Sequence, residues 1–160
     1  MAGQNTAPIY SLVPVIASAV LMTVTVANVR SDGLGNLRIL PTGSATDEFI
    51  ILTAGANGTY VSKIRIQAAA TVATTVQVGV IRIYVASVKD AGTATTSANS
   101  WLIQEVSTAA LAAASTTVAI PFYEIPMNFA LPPNYTLFCT LSVVDAAQVV
   151  WFVTAFGGDY

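Results

Sequence analysis

The stretch that most constrains the fold is residues 49–67, FIILTAGANGTYVSKIRIQ. It reads as strand, turn, strand. Residues 49–52 are a short apolar run, and Gly55, Asn57 and Gly58 supply a turn, because glycine and asparagine reach positive φ at small cost. After the turn the residues alternate. Tyr60, Ser62, Ile64 and Ile66 lie on one face of the expected strand, and Val61, Lys63, Arg65 and Gln67 lie on the other. Period two with charges on one side specifies a sheet with one buried and one wet face.

The same grammar recurs along the chain. Residues 76–86, VQVGVIRIYVA, carry the longest β signal. Val76, Val78 and Val80 share one face, whereas Ile81, Ile83 and Val85 share the opposite one. A slip of one residue beside Gly79 predicts a β-bulge or a strand that turns from one sheet toward another, and Arg82 then needs a partner. Residues 101–106 and 116–122 read as strands. Between them, STAALAAAS at 107–115 is expected to form a helical turn or loop, being alanine-rich but too short for a stable helix. Pro121, Pro126, Pro132 and Pro133 confine the next segment to a sheet edge or to loops. Residues 135–144 alternate cleanly, with Tyr135, Leu137, Cys139, Leu141 and Val143 opposite Thr136, Phe138, Thr140 and Ser142. Residues 149–156, VVWFVTAF, are apolar on both faces, which suits a central strand of a sandwich or one covered by another subunit. Loops are expected at 30–36, 42–47, 89–100 and 145–147, with a short strand at 37–40. Many short strands with turns at regular spacing specify an all-β chain: a β-sandwich, jelly-roll-like, of two antiparallel sheets with about eight strands.

Residues 9–29, IYSLVPVIASAVLMTVTVANV, contain no charge and have the hydropathy of a membrane helix. Three features favour an extended arm and strand over a spanning or signal segment. Valine and threonine dominate, Pro14 interrupts, and residues 23–26 alternate; moreover the first basic residue is Arg30, too late for a signal's positive n-region. The expected organisation is therefore an N-terminal arm or first edge segment at 1–18 and one β-sandwich domain at 19–160.

Charge is scarce. Only 9% of the 160 residues are charged, six basic and eight acidic, against about a quarter in ordinary soluble domains. A surface so poor in charge is either solvated by Thr, Ser, Asn and Gln or covered by copies of the chain or a partner. The six cations are scattered, so nothing tracks a phosphate backbone, and no direct nucleic-acid binding is expected.

The residue inventory disfavours catalysis. There is no histidine, the commonest general base and transition-metal ligand. Cys139, the one cysteine, excludes an intrachain disulfide and a structural zinc site, and its place in an apolar run marks it as a small core residue. Asp47 and Glu48 are the only adjacent acids, and neighbours on a strand point to opposite faces. The glycines at 33–35 and 55–58 lack the Lys-Ser/Thr and the helix of a phosphate loop. No catalytic, cofactor-binding or metal-binding residue is expected, and the chain reads as a non-enzyme. Trp101, Trp151, Tyr123 and Tyr135 are the candidates for a sugar-stacking platform, with core or interface packing as the plainer role.

Several of these segments also carry a resemblance. FIILTAGANGTYVSKIRIQA, the LPPNY at 131–135, residues 28–36 around Arg30, Asp32 and Gly33, and the closing VTAFGGDY resemble, in order, segments of small tailed-bacteriophage virion structural proteins. The resemblance implies a capsid decoration or cement protein, commonly a β-sandwich or jelly-roll homotrimer on the capsid exterior that clamps the major capsid protein. It implies no cofactor, no catalytic residue and no membrane. A head-fibre or tail-associated component, or a glycan-binding sandwich, is the alternative. On the decoration reading the subunit or capsid contacts fall on the arm and the last strand: Ile9, Tyr10, Leu12, Val149, Trp151, Val153, Phe156 and Tyr160.

Overall fold

The structure, a computed structural model, describes residues 13–21, 29–31, 47–70, 74–76, 78–87, 99–114, 122–141 and 149–160. Ile9, Tyr10, Leu12, the expected strand at 37–40 and most of the expected loops lie outside them. Eleven strands are present among the described residues: β1 (Val13–Leu21), β2 (Val29–Ser31), β3 (Asp47–Thr53), β4 (Thr59–Ala70), β5 (Thr74–Val76), β6 (Gly79–Ala86), β7 (Ser100–Thr108), β8 (Leu111–Ala114), β9 (Phe122–Leu131), β10 (Thr136–Leu141) and β11 (Val149–Asp159).

Two sheets face each other. One has the order β1-β11-β4-β9 and the other β2-β3-β10-β6-β7, while β5 and β8 form a separate pair. Every pairing is antiparallel. Leaving aside β2 and the β5–β8 pair, eight strands remain, and their order is that of a jelly roll. The pairs β1–β11, β3–β10, β4–β9 and β6–β7 are concentric, as in one long hairpin, and β11–β4 and β10–β6 join that ribbon into two sheets. β1 lies against β3, which closes one side of the sandwich.

The core follows the alternation. Ile64, Ile66, Trp151, Val153 and Ala155 project from the four-stranded sheet, and Ile81, Ile83, Leu137, Cys139 and Leu141 from the five-stranded one; all are buried in one cluster. β10, paired on both sides by β3 and β6, is buried along its whole length. On its other side Phe138 stacks on Tyr84 with ring centroids 5.1 Å apart. β11, apolar on both faces in the sequence, lies inside its sheet between β1 and β4. β9, which contains Pro126, is an edge strand, where the missing N–H costs no ladder bond.

Two local expectations need correction, and one pair of alternatives is decided. First, alternation through 60–67 holds only from Lys63 onward. Gly157 pairs with Val61 and Phe156 with Lys63, so Ser62 is an extra residue, a bulge; it puts Val61 inside and leaves Tyr60 half-buried. Of the two alternatives at Gly79, the phase change is a passage between sheets. Val76 belongs to β5 and is buried, Val78 is exposed, and β6 starts in the five-stranded sheet. Second, where a helical turn or loop was expected from 107, residues 107–114 form no helical turn: β7 runs to Thr108 and β8 covers Leu111–Ala114. Tertiary hydrogen bonds override the alanine propensity there. The Thr108 hydroxyl accepts from the Gly79 N–H at 3.0 Å, and the Ala109 N–H donates to the Tyr123 hydroxyl at 2.9 Å.

Candidate interaction surface

The expected contact residues separate by strand phase. Val149, Trp151 and Val153 face inward on β11 and are buried among the chain's own side chains, so their apolar surface is used within the subunit. Phe156 is half-buried and belongs with Phe152, which is not among the expected contacts; residues 152, 154 and 156 form the outward phase of β11. Tyr160 is half-buried beside the turn that precedes β4.

The register arranges the outward face of the four-stranded sheet into rows. Ile16, Phe156 and Lys63 lie side by side on β1, β11 and β4, as do Ser18, Thr154, Arg65 and Glu124 across all four strands, and Phe152, Gln67 and Phe122 across β11, β4 and β9. Lys63 Nζ donates to Glu124 Oε1 at 2.9 Å, and Arg65 reaches the same oxygen with Nη2 at 2.6 Å and Nε at 3.0 Å. Those two cations hold the Glu124 carboxyl below its ordinary range. Lys63 Nζ lies 5.2 Å from the centre of the Phe156 ring, and the Arg65 guanidinium 4.8 Å from that of Phe122. Such cation–π contacts fix the rings in place while leaving apolar surface outward. Ile16, Phe122 and Phe152 are 72%, 54% and 39% exposed, so the face is an aromatic and aliphatic rim around a cationic centre.

A second exposed apolar group lies on the opposite sheet. β7 is an edge strand and presents Trp101, Leu102 and Ile103 in succession, 48%, 48% and 37% exposed. They sit at a bulge: Ile83 pairs with Gln104 and Tyr84 with Leu102, leaving Ile103 without an opposite residue. Trp101 stacks on Tyr135 with centroids 6.4 Å apart, while Trp151 is buried, so the two tryptophans form no common platform. Arg82 has the partner that its position demanded, donating from Nε to Glu105 at 2.6 Å. A cavity of about 270 Å³ opens between the edges of the two sheets, lined by Ile103, Gln104, Pro126, Met127 and Phe129.

Three of the segments singled out in the sequence meet at one end of the sandwich. The Gly58 N–H donates to the Gly55 carbonyl at 3.1 Å, and Gly58 has φ +96°. The Thr59 hydroxyl donates to the Asp159 carboxylate, Asn57 Nδ2 donates to the Tyr160 carbonyl at 3.3 Å, and the Tyr160 N–H donates to the Gly58 carbonyl at 3.3 Å. A Cβ on Gly58 would lie 2.9 Å from the Leu131 carbonyl oxygen, with Pro133 next to it. The Ala54 N–H donates to the Tyr135 carbonyl at 2.8 Å. TAGANGT, LPPNY and GGDY thus interlock as one corner, whose work is structural.

Among the described residues no three His, Cys, Asp or Glu side chains cluster as metal ligands, and no helix is long and apolar enough to cross a membrane. Burial pushes the Cys139 thiol far above its ordinary range.

No protein-family model matches the sequence, and no curated protein matches it. A solved chain to which it is similar is that of "Structure of infectious bursal disease virus Gt strain", at 15% identity and a TM-score of 0.28. That alignment covers 92% of this chain and 32% of the other, so the chain spans about a third of its length. The jelly-roll assignment rests on strand order and not on this likeness.

Proposed function

We propose that the chain is a non-enzymatic structural protein of a viral coat, a capsid decoration protein that binds the outer lattice of the major capsid protein as a homotrimer and reinforces it. The observation that carries the reading is the interlocked corner. The segments TAGANG, LPPNY and AFGGDY resemble virion structural proteins, and they form one hydrogen-bonded unit at the end of a jelly roll. The fold is itself an architecture used by capsid and lectin domains, which is support by analogy. Scarce charge and exposed apolar residues on two sheets suit a protein that acts through contact area.

Particles with and without the protein provide the test. Reinforcement predicts that particles lacking it lose DNA at lower temperature and under milder osmotic shock, and that added protein restores them. Equal survival of both particle types would exclude the reinforcing role. A density map of the particle separates a capsid position from a head-fibre or tail position. A glycan-binding module is the second reading, favoured by Trp101, exposed and stacked on Tyr135. It predicts glycan binding that Trp101→Ala abolishes.

A further inference from the structure

We infer that the outward face of the four-stranded sheet of one copy seats the β7 edge of the next, so that the trimer is closed by a head-to-tail contact between these two surfaces. The inference rests on the trimer reading above and assigns its interface. A ring of three requires a heterologous contact, in which every copy presents two different and complementary patches. The described residues present two such exposed apolar groups, and they belong to different sheets. One is built on Phe152, Phe122 and Ile16, the other on Trp101, Leu102 and Ile103.

Charge distinguishes the patches in the same sense. Among the described residues the sheet face holds two cations, Lys63 and Arg65, against the one carboxylate of Glu124. Beside the β7 patch the Arg82 side chain is only 20% exposed, whereas its partner Glu105 is 50% exposed, so the outward charge there is negative. A face-to-face contact between two copies of the sheet face would oppose like charges, while the contact with β7 opposes unlike ones.

Light scattering on the purified chain tests the assignment, using Phe152→Asp to break the sheet face and Leu102→Asp to break the β7 patch. Wild type is expected at three times the 16.6 kDa chain mass, and each variant alone at one chain mass. An equimolar mixture of the two is expected at two chain masses, because one intact contact remains between a wild-type sheet face and a wild-type β7 edge. Thermal melting followed by circular dichroism checks that each variant is folded; if either is not, Ile16→Asp or Ile103→Asp replaces it in the same patch. A mixture that stays monomeric, or a folded Leu102→Asp variant that stays trimeric, overturns the contact. A monomeric wild type overturns both the contact and the trimer, whereas reinforcement of particles is read separately from their heat and osmotic survival.

Discussion

Single residues set the tolerances of this fold, and the sharpest is Gly157. A Cβ there would sit 1.9 Å from the Tyr60 carbonyl oxygen, since the bulge at Ser62 drives the β4 backbone toward β11. Gly157→Ala is therefore expected to destabilise by about 3 kcal/mol or more in urea unfolding. Gly55→Ala, whose Cβ would meet only the Asp159 carboxylate at 3.1 Å, is expected to cost about 1 kcal/mol or less. Thr140 offers the opposite case. Its hydroxyl oxygen is buried with no hydrogen-bond partner among the described residues, so Thr140→Val is expected to be neutral or to stabilise by about 1 kcal/mol in the same assay. Electrostatics at this scale centres on Glu124. Its folded value is lowered by Lys63 and Arg65, so its stabilising contribution is present above the ordinary glutamate range and is lost as pH falls through the lowered folded value. Carbon-detected NMR titration should place Glu124 below an unpaired glutamate, and Lys63→Met or Arg65→Met should move it upward; an unmoved midpoint in both variants would refute the pairing. In the sequence Lys63 and Arg65 mark only a wet sheet face. Their partner lies about 60 residues further on, in a strand whose register with β4 depends on a bulge, and no local pattern in the sequence reports that register.

Strands are the level at which the sequence was most legible, and the failures have a common cause. The alternation at 135–141 marked a strand but not the burial of both its faces, the apolar run at 149–156 suited the central strand that β11 is, and the prolines suited the edge that β9 is, because period, apolarity and the missing N–H act within a strand. Contact between strands was not legible. The slip at Ser62, the choice between a bulge and a change of sheet at Gly79, and the formation of β7 and β8 where a helical turn or loop was expected all arise from partners far away in sequence. The same separation explains the interface residues. Trp151 and Phe152 are adjacent and equally apolar, and only the sheet decides that the first is core and the second surface. Hydrogen exchange should reproduce this division. Amides of β10 and β11, paired on both sides, are expected to exchange only through global unfolding, whereas alternate amides of β1, β7 and β9, directed away from their one partner, exchange by local opening. Protection of the outward β7 amides in the isolated chain that vanishes in a Leu102→Asp monomer would place a neighbour on that edge. Uniform exposure in both would leave the edge free.

The whole molecule is a ribbon folded on itself, and that topology dictates how it must assemble. In the innermost pair, Ala86 and Ser100 are 14 positions apart, whereas in the outermost Leu21 and Trp151 are 130 apart. Closing the longer loop first costs about 2 kcal/mol more in chain entropy, since the cost grows as the logarithm of length. Formation of β6–β7 before β1–β11 avoids that difference: each inner pair, once formed, shortens the effective loop of the next pair outward. Strong dependence on distant pairs also predicts slow folding, in the range of milliseconds to seconds. The order can be resolved by two truncations, each read as the ratio of its kinetic to its equilibrium effect. Val106→Ala removes contacts between β7 and the core, and Val153→Ala removes contacts of β11. Stopped-flow folding in urea should show Val106→Ala slowing folding in proportion to its loss of stability, and Val153→Ala acting mainly by accelerating unfolding. The reverse pattern would mean that the ribbon closes from its ends, where β11 would have to be held near β1 before any inner pair shortened the loop between them.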